Sequence, residues 1–148
     1  MISRLYYVNI RILKERGANM QKLMFESAWD KTLSTKDRNY IEQIFVSTSM
    51  NSREDIQFTP IWQARNHKSE LLITVLVHNF SEHPFSFHNT NLQYIENNHL
   101  IAEHTFQQPT PIVEQQTSMP WTFIFPVLSI KSSPSMKDGT LEIVEQLN

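Results

Sequence analysis

The sequence predicts a mainly β fold, an immunoglobulin-like β-sandwich of about seven strands with one N-terminal α-helix. Three observations point to it. Two segments, Leu71–Val77 and Pro120–Phe125, are apolar and β-branched or aromatic, and each is bounded by charge or proline. Beyond Ser52, polar turns recur about every ten residues. Ahead of them, one stretch carries a helical apolar stripe at Tyr40, Ile41, Ile44 and Phe45.

Taken in order, residues 1–19 form a leader set apart from the fold. Leu5 to Leu13 is interrupted by Asn9 and Arg11, so it lacks the unbroken apolar run of a secretory signal. Lys14-Glu15-Arg16-Gly17 can be encoded by purine-rich codons ahead of Met20, which makes Met20 an alternative start to Met1. The leader is thus expected to be untranslated natively, disordered or a short added strand, with residues 20–148 forming a single domain. Leu23 to Asp30 is a short apolar segment whose Trp29 anchors onto the body. Ser34 caps the helix that follows, with Asp37 in its positive first turn, and the helix ends between Ser47 and Asn51.

Ile56 to Arg65, broken at Pro60, suits an edge strand. The Leu71–Val77 and Pro120–Phe125 strands present apolar residues on both faces and belong in the middle of a sheet, with cover on each side. Phe85, Phe87, Leu92, Tyr94 and Ile95 continue in extended form. Glu96-Asn97-Asn98-His99 reads as a hairpin turn, because asparagine tolerates left-handed backbone. Leu100–Phe106 returns, Ile112-Val113 is a further short stretch, and Leu141 and Ile143 lie on the last strand. In Pro120–Phe125, Trp121, Phe123 and Phe125 share a face expected to point inward.

Composition excludes several kinds of chemistry. A formal charge of −2 over 148 residues gives no basic footprint for a nucleic acid. With no cysteine there are no disulfides, thiolate metal sites or cysteine nucleophiles. Two isolated glycines, Gly17 and Gly139, cannot build a phosphate-cradling loop. No apolar run reaches the roughly 20 residues of a membrane span. The six histidines, His67, His78, His83, His88, His99 and His104, all fall within His67–His104. Their spacing matches no metal-ligand pattern, so turn and sheet-surface histidines are expected, with a small-ligand or metal-binding sandwich as the alternative. Neither a nucleophile elbow nor a zinc-protease helix is present, and no catalytic, cofactor or metal residues are assigned.

Several stretches together resemble the SLAP domain of accessory Sec system S-layer assembly proteins. They are Phe25-Glu26-Ser27-Ala28-Trp29-Asp30, Ser34–Arg38, Ile56–Pro60, Asn66–Leu72, Val75–Asn79, Asn89-Thr90, Ile101–Phe106 and Thr117–Pro126. The resemblance covers Leu23 to Leu147, and Ser118–Pro126 is its most specific part. It implies a bacterial, soluble, non-enzymatic protein-binding factor without a cofactor. The family's namesake works on the cytoplasmic side with a second, accessory SecA-type ATPase during S-layer protein export. That namesake is similar to two such domains in tandem, and this chain has room for one. The partners implied are that ATPase or an S-layer precursor. The surface expected to hold them is the helix-bearing sheet face or an exposed edge strand, with a homodimer as the alternative cover.

Overall fold

The computed structural model describes residues 12–16, 19–50, 54–107, 109 and 111–146. They form a mainly β chain of ten strands and two α-helices. In order these are β1 (Ile12–Arg16), β2 (Asn19–Leu23), α1 (Ser27–Thr32), α2 (Thr35–Ser47), β3 (Ile56–Arg65), β4 (Leu71–Asn79), β5 (Phe85–Ser86), β6 (Thr90–Glu96), β7 (His99–Phe106), β8 (Ile112–Val113), β9 (Thr117–Phe125) and β10 (Gly139–Gln146). The strands beyond the expected seven include the two-residue pair β5 and β8 and the N-terminal pair β1 and β2, whose lengths leave little alternation to detect. Ile12–Arg16, set aside with the leader, is strand β1, and residues 1–11 lie outside the described residues.

One sheet has the order β1-β2-β9-β4-β3, a second β10-β6-β7, and β5 pairs with β8. The two strands read as apolar on both faces, β4 and β9, are neighbours in the interior of the larger sheet, and proline-bearing β3 lies at its edge. Pro60 is exposed there, where its missing N–H costs no ladder bond. Pro120 stands inside an interior strand for a related reason. β2 runs parallel to β9, and the backbone bonds Lys22 N–H to Gln116 O (3.0 Å) and Met24 N–H to Ser118 O (2.9 Å) form the ladder. The next rung would need an N–H from Pro120, so the ladder ends and the chain turns off into α1.

The chain divides into two compact units. The first takes residues up to Thr59 with Leu76–Phe85 and Val113–Pro120; the second takes Pro60–Val75, Ser86–Ile112 and the residues from Trp121 onward.

In the first unit, the Ser34 hydroxyl accepts from Asp37 N–H at 3.0 Å and starts α2 as expected. Ile41 and Phe45, one turn apart, are fully buried. The last turn of α2 carries no basic residue of its own. Lys14 of β1 fills that role: its ammonium donates to the carbonyls of Phe45 (3.4 Å), Val46 (2.5 Å) and Thr48 (2.6 Å). Burial lowers the Lys14 pKa. The segment expected only to anchor through Trp29 forms the short helix α1, capped by the Glu26 carboxylate on Ala28 N–H. Arg38 fastens it to α2 through the Asp30 carboxylate (3.0 Å) and carbonyl (2.9 Å). Trp29 itself is half-buried.

In the second unit, β6 lies between β10 and β7, antiparallel to both. Glu96 and His99 face each other across Asn97 and Asn98, both left-handed at φ 49 and 65, giving the expected tight hairpin. Its core is aromatic, with Phe123 set edge-on to Phe87 (5.0 Å) and Phe106 (5.4 Å), and Phe106 edge-on to Phe125 (5.4 Å). Glu96 is a buried carboxylate. Burial pushes its pKa up, but N–H bonds from Ser135 (2.7 Å) and Met136 (3.1 Å), with the Tyr94 hydroxyl (3.2 Å), outweigh that and hold it below the usual carboxylate value. Burial, and then the neighbouring Glu96 charge and hydrogen bond, raise the Tyr94 pKa. A Cβ at Gly139 would overlap the Tyr94 ring and hydroxyl, so this position needs glycine for close approach.

Candidate functional site

The second unit carries the surface most suited to a partner. From Trp121 to Phe125, side chains alternate: Phe123 and Phe125 are buried and Ile124 is 46% exposed. Trp121, expected inward with its two phenylalanines, is only half-buried. It lines a cleft of about 500 Å³ together with Thr122, Ile124 and His104–Gln107. Alternation sets the face a side chain takes but not its depth, and here the Trp121 ring borders the open cleft. The cleft is backed by the edge-on ring cluster, with His104 at 4.8 Å from Phe106. Partial burial lowers the His104 pKa.

A second cleft of about 530 Å³ shares His104 and Thr105 with the first and reaches Asn91, Glu103, Leu128 and Lys131. Asn91 donates to Thr105 Oγ1 at 3.0 Å, while its buried Oδ1 has no hydrogen-bond partner among the described residues. Glu103 accepts from Gln93 at 3.2 Å. The rim is a single 3₁₀ turn, Val127–Ser129. Ser129 ties it twice to the Pro126 carbonyl, through its hydroxyl (2.6 Å) and its N–H (2.9 Å). That turn holds Leu128 at 93% exposure, with Val127 also exposed beside it. Large aliphatic side chains held out into water by a braced turn, Leu128 with Val127 beside it, are apolar surface of the kind that binds other proteins. Sequence reading missed this turn. Its signal is Pro126-Val127-Leu128-Ser129, two apolar residues between a helix-starting proline and a small polar one.

The histidines do not converge. His67, His83, His88 and His99 are exposed in turns or at strand ends, and His88 contacts the Gln107 carbonyl. Among the described residues no three histidine or acidic side chains are grouped to hold a metal.

His78 is different, fully buried in the first unit. Its Nδ1 lies 2.6 Å from Ser118 Oγ and its Nε2 2.8 Å from Thr59 Oγ1. Gln21 Nε2 donates to Ser118 Oγ (3.1 Å) and to Asn79 O (3.3 Å). Burial, and then the charge of Lys14, push its pKa down to about 3, so the ring is neutral in the folded protein. Closed to solvent, this serine–histidine pair is part of the core. Beside it, Asn79 organises the following turn: Nδ2 donates to the carbonyls of His83 (2.8 Å) and Val113 (3.0 Å), and Oδ1 accepts from Ser81 N–H (3.0 Å) and Oγ (2.7 Å).

Fold and surface together define a β-rich module with a braced apolar patch beside open clefts. The family model of the SLAP domain matches residues 23–143, and the chain belongs to that family. Neither the curated proteins nor the solved structures give a match to it. Among the described residues no helix is long and apolar enough to cross a membrane.

Proposed function

We propose that this domain is a non-enzymatic protein-interaction module that serves an accessory Sec system on the cytoplasmic side, in the export of S-layer or related surface proteins. SLAP family membership supports the export role. The observation that carries the binding role is Leu128, held in water by the Pro126–Ser129 turn at the mouth of the cleft. An exposed leucine gains from burial by a partner, about 1.5–3 kcal/mol for a side chain of this size. The partners proposed are an accessory SecA-type ATPase or an unfolded surface-layer precursor, with a second copy of the domain as the alternative occupant. An immunoglobulin-like sandwich is the proposed architecture, supported by the antiparallel β10-β6-β7 sheet and the edge position of β3.

The test places a photo-cross-linking amino acid at position 128 of the full chain in cells that export a surface layer. Adducts with the export ATPase or the precursor support the reading. Adducts only with a second copy of the domain, or none where a position on α1 gives them, count against it.

A further inference from the structure

We propose that the edge of β9 from Thr122 to Ile124 is a strand-addition site, which takes an extended, unfolded polypeptide segment by main-chain hydrogen bonds within the cleft that Trp121 lines. It rests on the reading of this domain as one that holds other proteins, and it names the form of the partner: an unfolded segment, not a folded surface.

Backbone direction along β9 follows from its neighbours. In a strand, the N–H and C=O of one residue point to the same edge, and those of the next residue to the other. The carbonyls of Gln116 and Ser118 accept from Lys22 and Met24, so these two residues face the β2 edge. The side-chain pairs Ser118–His78 (2.6 Å) and Thr122–Thr74 (2.8 Å) keep the same four-residue interval on β9 and β4. No bulge therefore intervenes, and the alternation carries through to Thr122 and Ile124. Their N–H and C=O groups point to the edge that β2 held, while Trp121 and Phe123 turn theirs to β4. Among the described residues β2 pairs with β9 only at Thr117 and Ser118, and no strand takes its place beyond Pro120.

The cleft lies along this open edge. Trp121–Ile124 line it as four consecutive residues, whereas side chains on one face would supply only alternate ones. Its far side is His104–Gln107, at the end of β7, and all of these residues belong to the second unit. β7 is the outer strand of its own sheet and is covered at Ile101, whose carbonyl takes the N–H groups of Lys131 (2.6 Å) and Ser132 (3.3 Å). With β7 closing the far side, the space beside β9 suits one extended segment. Edge strands usually carry a charge or a proline that blocks pairing, as β3 carries the exposed Pro60. Trp121–Ile124 carries neither. Pro120 and Pro126 stand just outside it and confine the ladder to Thr122 and Ile124, with two donors and two acceptors. Main-chain pairing of this kind reads backbone before sequence, which suits an unfolded partner, and Trp121 and Ile124 add apolar contact.

The probe is a pool of short acetylated, amidated peptides that alternate valine, isoleucine, leucine or phenylalanine with threonine, added to the ¹⁵N-labelled full chain. Amide exchange at Thr122 and Ile124, fast in the free chain, should slow at least about tenfold with peptide. N-methylation of the tightest binder should weaken it about tenfold at alternate positions and little at those between. Ile124→Pro removes one edge N–H and leaves the β4 ladder intact, as Pro120 already does, and should bind about tenfold more weakly than Ile124→Val. Should Ile124→Pro not fold, the N-methyl scan decides, because it leaves the protein untouched. Slow exchange at Thr122 and Ile124 before peptide is added, protection only in a dimer of the chain, no binder in the pool, or a scan without alternation would overturn the proposal. If the scan fails while retention of the unfolded surface-layer precursor still depends on Leu128, the strand-addition site falls and the interaction reading stands. Retention unchanged by Leu128→Glu and Ile124→Pro alike counts against both.

Discussion

The two units are held together by different physics. In the first, a neutral histidine sits between two hydroxyls, one of them also held by an amide, and a lysine closes a helix from another strand. In the second, four phenylalanine rings interlock edge to face, and a buried carboxylate, Glu96, is met by backbone N–H groups of the loop that crosses it. Each unit is therefore vulnerable in its own way. An aromatic core loses stability with volume; a polar chain loses it when one partner is removed or one proton added.

The largest effect that would sharpen this contrast is Phe123→Ala, which removes the ring touching Phe87 and Phe106. It should cost about 3–5 kcal/mol in urea denaturation. A cost below 1 kcal/mol would break the volume reading of the second unit. Ser118→Ala removes only one oxygen but leaves His78 Nδ1 without its partner and Gln21 Nε2 with one of its two bonds, so about 1–3 kcal/mol is expected.

Acid separates the units by window. His78 has a folded pKa of about 3 against an ordinary 6.5, so the unfolded chain binds its proton first. Stability is complete above pH 6.5 and falls as pH drops toward 3, by about 2 kcal/mol at pH 5. The folded pKa of Glu96 is also lowered, so its contribution is complete above the ordinary carboxylate value and is lost only as pH falls below it. His104 adds to the second unit a smaller loss in the histidine window, because its ring is partly in water. Denaturation at pH 7, 6, 5 and 4 should therefore show the first loss in wild type and its reduction in His78→Gln. Lys14→Met should cost less, about 1 kcal/mol, read as faster exchange in the last turn of α2.

Much of the fold was legible because it rests on local rules. Two-sided apolar runs placed β4 and β9 inside a sheet, Pro60 placed β3 at an edge, Ser34 started α2, and Asn97-Asn98 closed a hairpin. What stayed hidden depends on tertiary partners. Lys14 reads as one charge in a basic run, and only the fold brings it to the carbonyls of α2. His78 reads as one histidine among six, and its burial depends on Ser118 and Thr59, 40 and 19 residues away. The candidate site was the least legible part. Alternation put Trp121 inward, and nothing in Val127-Leu128 alone says that a braced turn will keep an aliphatic side chain in water.

The division of labour between the buried cores and this exposed turn is tested most directly by Leu128→Glu. Far from any core contact, it should shift stability by no more than about 0.5 kcal/mol. Retention of the purified accessory ATPase or unfolded surface-layer precursor on the immobilised full chain should nevertheless fall at least about tenfold, matching the loss of one buried leucine. Unchanged retention by a variant with an unchanged unfolding midpoint would contradict the assignment of this turn as the binding surface.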